Sequence, residues 1–267
     1  MVNVCFAGLT GWTAQPIVRA IGEADDLVLT AGVSRSAAGR SLGEFGGSSA
    51  GSVHATVVEA LEATAVDVLV DYTSATAVRQ HVEAAVDAGV HVVVGSSGLS
   101  AEDYAYLDRR ARQQGIGVFA AGNFSVMAAV LLRAAQVAAH HLDHWEILDY
   151  ASDGKPDVPS GTSRELADAL AKVREPRGAV PLEDLHGPVE ARGAEVGGSR
   201  VHSVRLPSFV VSTEIVFGGS GERLVMRHDT GESPEPYVDG TLLAIRRVAD
   251  VPGVRRGLDT LIFDSPL

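Results

Sequence analysis

A chain of 267 residues with 46% hydrophobic content carries enough apolar sequence for one large domain or two small ones. Its formal net charge of -12 argues against nucleic acid as a partner, and no apolar run approaches the roughly 18 residues of a membrane helix, so no membrane partner is expected. Met1 to Phe6 lacks the basic start of a signal peptide, which makes the cytoplasm the expected location, and the single cysteine, Cys5, reads as a core residue.

In chain order, Val2 to Ala7 predicts a strand, Pro16 to Ala20 begins a helical pattern, and Leu27 to Val33 predicts a second strand. Between the first strand and the helix lies Gly8-Leu9-Thr10-Gly11-Trp12-Thr13-Ala14. Glycines at this spacing let the backbone turn tightly against a pyrophosphate, and the helix N-terminus adds free amides and its dipole. Gly8, Thr10, Gly11, Trp12 and Thr13 are therefore cofactor candidates. The second strand ends in Gly32-Val33-Ser34-Arg35, without the acid that would hold the 2′-hydroxyl of NAD. Ser34 and Arg35, with Arg40 nearby, favour the 2′-phosphate of NADPH, with NADH as the alternative. Residues 36 to 55, rich in Gly, Ser and Ala, read as a flexible excursion.

Alternation then resumes. Val66 to Asp71, Val90 to Val94 and Gly115 to Ala120 predict strands, with helices at Ala75 to Ala88 and Ala101 to Gln114. Strands separated by helices imply a parallel sheet whose strand ends form a ligand crevice along one edge. Three of those ends carry small polar residues: Asp71-Tyr72-Thr73-Ser74, Gly95-Ser96-Ser97-Gly98 and Gly122-Asn123-Phe124-Ser125. Tyr72, Thr73, Gly95, Ser97, Gly122, Asn123 and Phe124 thus join the cofactor set.

Val126 to Ala139 predicts a long apolar helix ending near His140, His141 and His144, whose spacing suits a solvated helix end and no metal site. Trp145 to Tyr150 reads as a buried strand and Ser163 to Val173 as a helix. The stretch between them, Asp153 to Thr162, combines Lys155, a kinked proline segment and Ser160-Gly161-Thr162 opening the helix. Such groups suit a small anion, because helix N-terminal amides and hydroxyls donate toward negative charge. Residues 174 to 200 read as a long loop or lid. From Val201 the pattern has period two, predicting antiparallel strands at Val201 to Leu206, Phe209 to Phe217 and Arg223 to His228, before a helix from Tyr237 to Val248. The expected fold class is α/β. Residues 1–122 and 238–267 form a dinucleotide-binding domain on a parallel sheet, and 123–237 an α+β substrate domain on an open mixed or antiparallel sheet.

With these pieces placed, the chain resembles the 4-hydroxy-tetrahydrodipicolinate reductase (dihydrodipicolinate reductase) family of the diaminopimelate route to lysine. The likeness runs through the glycine loop, Asp71-Tyr72-Thr73, Gly95-Ser96-Ser97-Gly98, Asn123-Phe124-Ser125 and Glu146-Ile147. It continues through Lys155, Pro159-Ser160-Gly161-Thr162, His202-Ser203-Val204-Arg205, Glu214 and Arg227-His228-Asp229. The resemblance implies a Rossmann-like cofactor domain completed by the C-terminal helix, hydride transfer from NAD(P)H, and an open substrate-domain sheet that associates into a homotetramer. It also implies that Lys155, Ser160, Gly161 and Thr162 meet a substrate carboxylate.

Members of that family carry two adjacent histidines four and three residues before the lysine, the first proposed as proton donor and the second as substrate ligand. Here those positions hold Ala151 and Ser152. Alanine cannot donate a proton, and the remaining candidates are Lys155, Asp153, Tyr150 and His202. Lys155 is the favoured acid, Asp153 is expected to meet a substrate amine, and Ser152 to line the substrate site. The expected function is NADPH-dependent reduction of a small carboxylate-bearing cyclic imine or enamine at an altered substrate site. Its alternatives are the lysine-pathway reductase itself and a catalytically silent NADP-binding homologue.

Overall fold

The computed structural model describes residues 1–47, 51–178 and 180–263. In chain order the elements are β1 (Val2–Ala7), α1 (Ala14–Glu23), β2 (Leu27–Val33), β3 (Val53–His54), α2 (Val57–Ala63), β4 (Val68–Asp71), α3 (Val78–Asp87) and β5 (His91–Val94). Next come α4 (Ala101–Gln114), β6 (Gly117–Ala120), α5 (Val126–His141), β7 (Trp145–Ala151), α6 (Gly161–Ala171), β8 (Ala194–Val196) and β9 (Ser199–Arg205). The last are β10 (Val211–Gly218), β11 (Arg223–Asp229), α7 (Val238–Arg247), β12 (Gly253–Arg256) and α8 (Asp259–Ile262).

The chain divides into two units, the first comprising Met1–Ser125 and Pro234–Leu261. Its seven strands run parallel in the order β12-β6-β5-β4-β1-β2-β3. The central strands are apolar without interruption because helices cover both faces of a parallel sheet. Val68 to Val70 and Val92 to Val94 are all buried. Local signals set the helix bounds. The Ser100 hydroxyl and the Asp103 carboxylate cap one another's amides to start α4, and Gly115 at φ +71° ends it. Burial, and then the nearby Asp71, push the Cys5 thiol up to about 12, which leaves it an inert core group.

The expectation of a featureless excursion over 36 to 55 is corrected, with residues 48–50 outside the described set. Ser41 caps a short 3-10 turn at Leu42–Phe45, Leu42 is fully buried, Ser41 bridges Ser52, and β3 extends the sheet. Abundant glycine here serves close packing: a Cβ on Gly47 or Gly51 would press into the Leu42 side chain. Residues 264–267, which the sequence places in the cofactor domain, lie outside the described residues.

The second unit is built on Val126–Ser233 and holds a five-stranded sheet in the order β11-β10-β7-β9-β8. It is mixed: β7 runs parallel to β9, while its pairing with β10, and the β10–β11 and β8–β9 pairs, are antiparallel. One face packs against α5 and α6, burying Ile147, Ile215 and Phe217 with Leu166 and Leu170. The alternating burial of β7 follows from that one-sided cover. The predicted loop 174–200 contains short 3-10 turns at Leu182–Asp184 and Val189–Arg192 as well as β8.

Candidate active site

In the first unit the glycine loop follows β1 directly. Gly8 takes φ +92°, and a Cβ there would sit 2.3 Å from the Tyr72 carbonyl oxygen, so only glycine fits beside the end of β4. The Gly11 amide closes the turn on the Gly8 carbonyl at 2.8 Å. Thr13 holds the N-cap position of α1 without a side-chain cap; in the first turn the Ala14 amide bonds the Gly11 carbonyl at 3.2 Å, and Pro16 has no amide to spend. Trp12 is 53% exposed and stands edge-on to Tyr237 at 6.2 Å.

At the end of β2, the buried Ser34 hydroxyl lies 3.0 Å from Thr10 Oγ1 and 3.2 Å from Ser36 Oγ. Arg35 beside them is exposed, but Arg40 is committed elsewhere, paired with Glu44 at 2.6 Å and lying over the Phe45 ring. Hydroxyls at this strand end can meet either a ribose diol or a phosphate, and the absence of an acid there removes the usual partner of a ribose diol. Together with the glycine cradle, this donor set fits a dinucleotide.

Asp71 ends β4 fully buried and ties two strand-end loops together. Its Oδ1 accepts from the Thr73 amide at 3.1 Å, Thr73 Oγ1 at 2.9 Å and Ser96 Oγ at 2.5 Å, and its Oδ2 lies 2.7 Å from His81 Nδ1. Ser96 Oγ in turn accepts the Thr73 amide at 2.7 Å. Tyr72 donates to Thr241 Oγ1 at 2.8 Å, and Thr241 Oγ1 donates in turn to the Tyr237 carbonyl at 2.7 Å. Burial pushes the Tyr72 phenol well above its ordinary value. A Cβ on Gly95 would meet the Tyr72 ring at 2.2 Å, which explains a glycine at the end of β5. Asn123 and Phe124 are interior supports. Asn123 Oδ1 accepts the Ser125 amide at 2.8 Å, and the Phe124 ring, 2% exposed, packs on Tyr72 and Phe119. Ser97 and Gly122 are exposed.

In the second unit the loop between β7 and α6 hangs on Asp149, also fully buried. Asp149 Oδ2 accepts from the Ser160 amide at 3.0 Å, Ser203 Oγ at 3.0 Å and Arg205 Nη2 at 2.7 Å. Oδ1 accepts from Ser163 Oγ at 3.0 Å, and Thr213 Oγ1 lies 3.2 Å from that hydroxyl. Burial by itself would raise this carboxyl; the hydrogen bonds from Ser160 and Arg205 overcome it and hold Asp149 below the usual carboxylate range. Ser160 caps α6 through its hydroxyl, which accepts the Ser163 amide at 3.3 Å. Its polar groups are thus spent inside the loop, while Gly161 and Thr162 stand half-buried in the first turn. The Lys155 amide closes on the Ser152 carbonyl at 3.1 Å, and its ammonium pairs with Asp157 at 2.9 Å. Asp153 is exposed in the preceding turn, and Ala151 is fully buried.

Two acid candidates fall on the wrong side of the sheet, a correction that strand alternation explains. His202 pairs in register with Leu148 and bonds Glu146 at 2.7 Å, so it shares the open face rather than the face of Asp149. Tyr150 also points to the open face, stacked on Phe209 at 5.1 Å with Arg227 over its ring. Arg192 joins Glu146 there, and burial notwithstanding, Arg192 and His202 hold the Glu146 carboxyl below its ordinary value. Glu146, Leu148, Arg192 and Arg200 help line a cleft of about 850 Å³ on this side. Among the described residues, no group of three or more His, Cys, Asp or Glu could hold a metal.

Asp71 and Arg205 fell within quoted motifs but were given no role by sequence, and His81 and Asp149 were not singled out. A usable signal was present, since Asp149 is an acid at an inward position of an alternating strand and demands a buried partner.

Comparison with known proteins gives a consistent result. The family model described as dihydrodipicolinate reductase, N-terminus, matches residues 2–124, and that described as dihydrodipicolinate reductase, C-terminus, matches 124–261. A 4-hydroxy-tetrahydrodipicolinate reductase of Halalkalibacterium halodurans is 35% identical over 264 residues, covering 98% of this chain and 100% of that protein. One from Synechococcus elongatus is 35% identical over 274 residues, covering 98% of each. The solved dipicolinate-bound dihydrodipicolinate reductase from Paenisporosarcina sp. TG-14 superposes with a TM-score of 0.77 at 27% identity, covering 97% of this chain and 99% of that one. An amine dehydrogenase from Mycobacterium smegmatis, at 16% identity and a TM-score of 0.66, shares the fold.

Proposed function

The chain belongs to the dihydrodipicolinate reductase family of NAD(P)H-dependent oxidoreductases, and we propose that it carries out the lysine-pathway reaction, reducing 4-hydroxy-tetrahydrodipicolinate with NADPH. The observation that carries this reading is the β7–α6 loop, where one short segment delivers a lysine ammonium and a helix N-terminus, as a substrate carboxylate requires. The names shared by full-length relatives favour this substrate over the altered one expected from Ala151 and Ser152.

When bound, the reduced nicotinamide supplies the hydride. The glycine loop and Thr13 at the start of α1 receive the pyrophosphate, and Thr10, Ser34 and Arg35 the 2′-phosphate; Tyr72, Thr73, Gly95, Ser97 and Gly122 border the rest of the cofactor. Lys155, Gly161 and Thr162 hold the carboxylate, Ser160 shapes their turn and Ser152 lines its start. Lys155 also delivers the proton that accompanies the hydride, in place of the missing histidine, and Asp153 meets the ring nitrogen. The open sheet face, with Leu148, Val216 and the 52% exposed Val225, is covered in a homotetramer in the cytoplasm.

The test is loss of reduced-nicotinamide absorbance with freshly generated substrate. Turnover that falls by about two orders of magnitude or more in Lys155→Ala supports the reading. NADPH binding without turnover would instead make the chain a silent homologue. Light scattering on the purified protein reads the oligomer, and a monomer would overturn that part.

A further inference from the structure

One guanidinium ties strand β7 to the middle of the substrate loop. Arg205 stands in register with Ala151 on the neighbouring strand, the position where the proton-donating histidine was expected. Its Nη2 donates to Asp149 Oδ2 and to the Asp157 carbonyl, both at 2.7 Å, and its Nη1 donates to the Asp149 carbonyl at 3.1 Å. Asp157 in turn pairs its carboxylate with Lys155 Nζ at 2.9 Å. A continuous chain of contacts therefore runs from the framework strand β7 through Arg205 and Asp157 to the ammonium. The arrangement leaves Arg205 Nε buried without an acceptor among the described residues, an unmade hydrogen bond of a kind that folded proteins rarely keep.

We propose that Arg205 is a positioning residue of the reaction. It fixes the Asp157 backbone, and through it Lys155, in the geometry that receives the substrate carboxylate. This rests on the reading of 152–162 as the substrate loop. The role calls for arginine in particular. Four acceptors, the Asp149 carboxylate and the Asp149, Val204 and Asp157 carbonyls, are met by one rigid fork, which a lysine point charge cannot span. A preset loop spares the substrate the cost of ordering it, so losing the fork weakens substrate binding while leaving the cofactor side untouched.

The experiment uses full-length Arg205→Lys and Arg205→Met. KM and kcat for 4-hydroxy-tetrahydrodipicolinate, the Kd for NADPH, and amide hydrogen exchange across residues 145–171 and 199–205 are measured in each. In Arg205→Lys, KM is expected to rise about 10-fold with the NADPH Kd within about 2-fold of wild type. Exchange in 152–162 should quicken about 10-fold while β7 and β9 keep their protection. Adding Asp157→Asn to Arg205→Lys should cost less than the two single effects combined, because both act through one contact chain. Unchanged loop exchange in Arg205→Lys overturns the proposal, as does a parallel loss of substrate affinity, NADPH affinity and strand protection, which marks a merely structural staple. If wild type shows no turnover, the functional reading fails, and the exchange comparison in Arg205→Lys still decides the loop's order by itself. Should Arg205→Met fail to fold, the lysine variant carries the test.

Discussion

Asp71 in the first unit and Asp149 in the second are both fully buried, and each gathers four donors from neighbouring elements. They differ in the nitrogen partner. Asp149 faces the guanidinium of Arg205 and Asp71 the imidazole of His81, each at 2.7 Å. Around Asp71 the other donors are the Thr73 amide and hydroxyl and the Ser96 hydroxyl, whereas Asp149 combines a guanidinium ion pair with such donors. A buried ion pair is costly to break from one side, because the surviving charge has no solvent to turn to. A dipole cage gives way more gently.

The largest expected effect comes from Asp149→Ala, which strands Arg205 beside an empty position. Urea denaturation should show a loss of about 3–5 kcal/mol, and a loss below about 1 kcal/mol would erase the distinction between the two sites. Asp71→Asn keeps one acceptor for Thr73 and Ser96 and should cost about 1–3 kcal/mol, with NADPH affinity reduced and carboxylate affinity kept. A cost matching that of Asp149→Ala would show that both carboxylates are held by charge. At the exposed end of the cofactor loop, Arg35→Ala should weaken NADPH about 10-fold and NADH hardly at all, whereas Arg40→Ala should change either by less than about 2-fold. Quenching of Trp12 fluorescence offers a readout, and equal losses for both cofactors would remove Arg35 from the phosphate. The smallest effect concerns acid. Because the folded Asp149 carboxyl lies below its unfolded value of about 3.9, its stabilisation is complete above that pH and drains away as pH falls through the folded value. Asp149→Asn should flatten this acid limb in unfolding measurements below about pH 4, and an unchanged slope would contradict the depressed carboxyl.

The cofactor unit was legible because its signals are local. Continuous apolar strands, the glycine loop and the capped helices each occupy a few consecutive residues, and the parallel sheet follows from their alternation. The α6 N-terminus and Lys155 were legible for the same reason. Asp149 and Arg205 lie 56 positions apart, and their contact depends on β7 and β9 pairing in parallel, which a period-two pattern does not reveal. His202 shows the converse. Alternation alone assigns it to the face of Leu148, but only once the register between the strands is known. The segment 36–55 misled because small residues that allow tight packing around Leu42 look the same as those that allow freedom.

The position of β12 has a consequence for synthesis. Among the described residues this strand pairs with β6 alone, at one edge of the seven-stranded sheet, yet it is encoded after the whole of Val126–Ser233. During translation the β6 edge therefore waits, with its amides and carbonyls unpaired, while more than a hundred further residues emerge from the ribosome. A nascent chain stalled before Gly253 should expose that edge to chaperones or to other chains, and pairing of β12 with β6 should end the exposure.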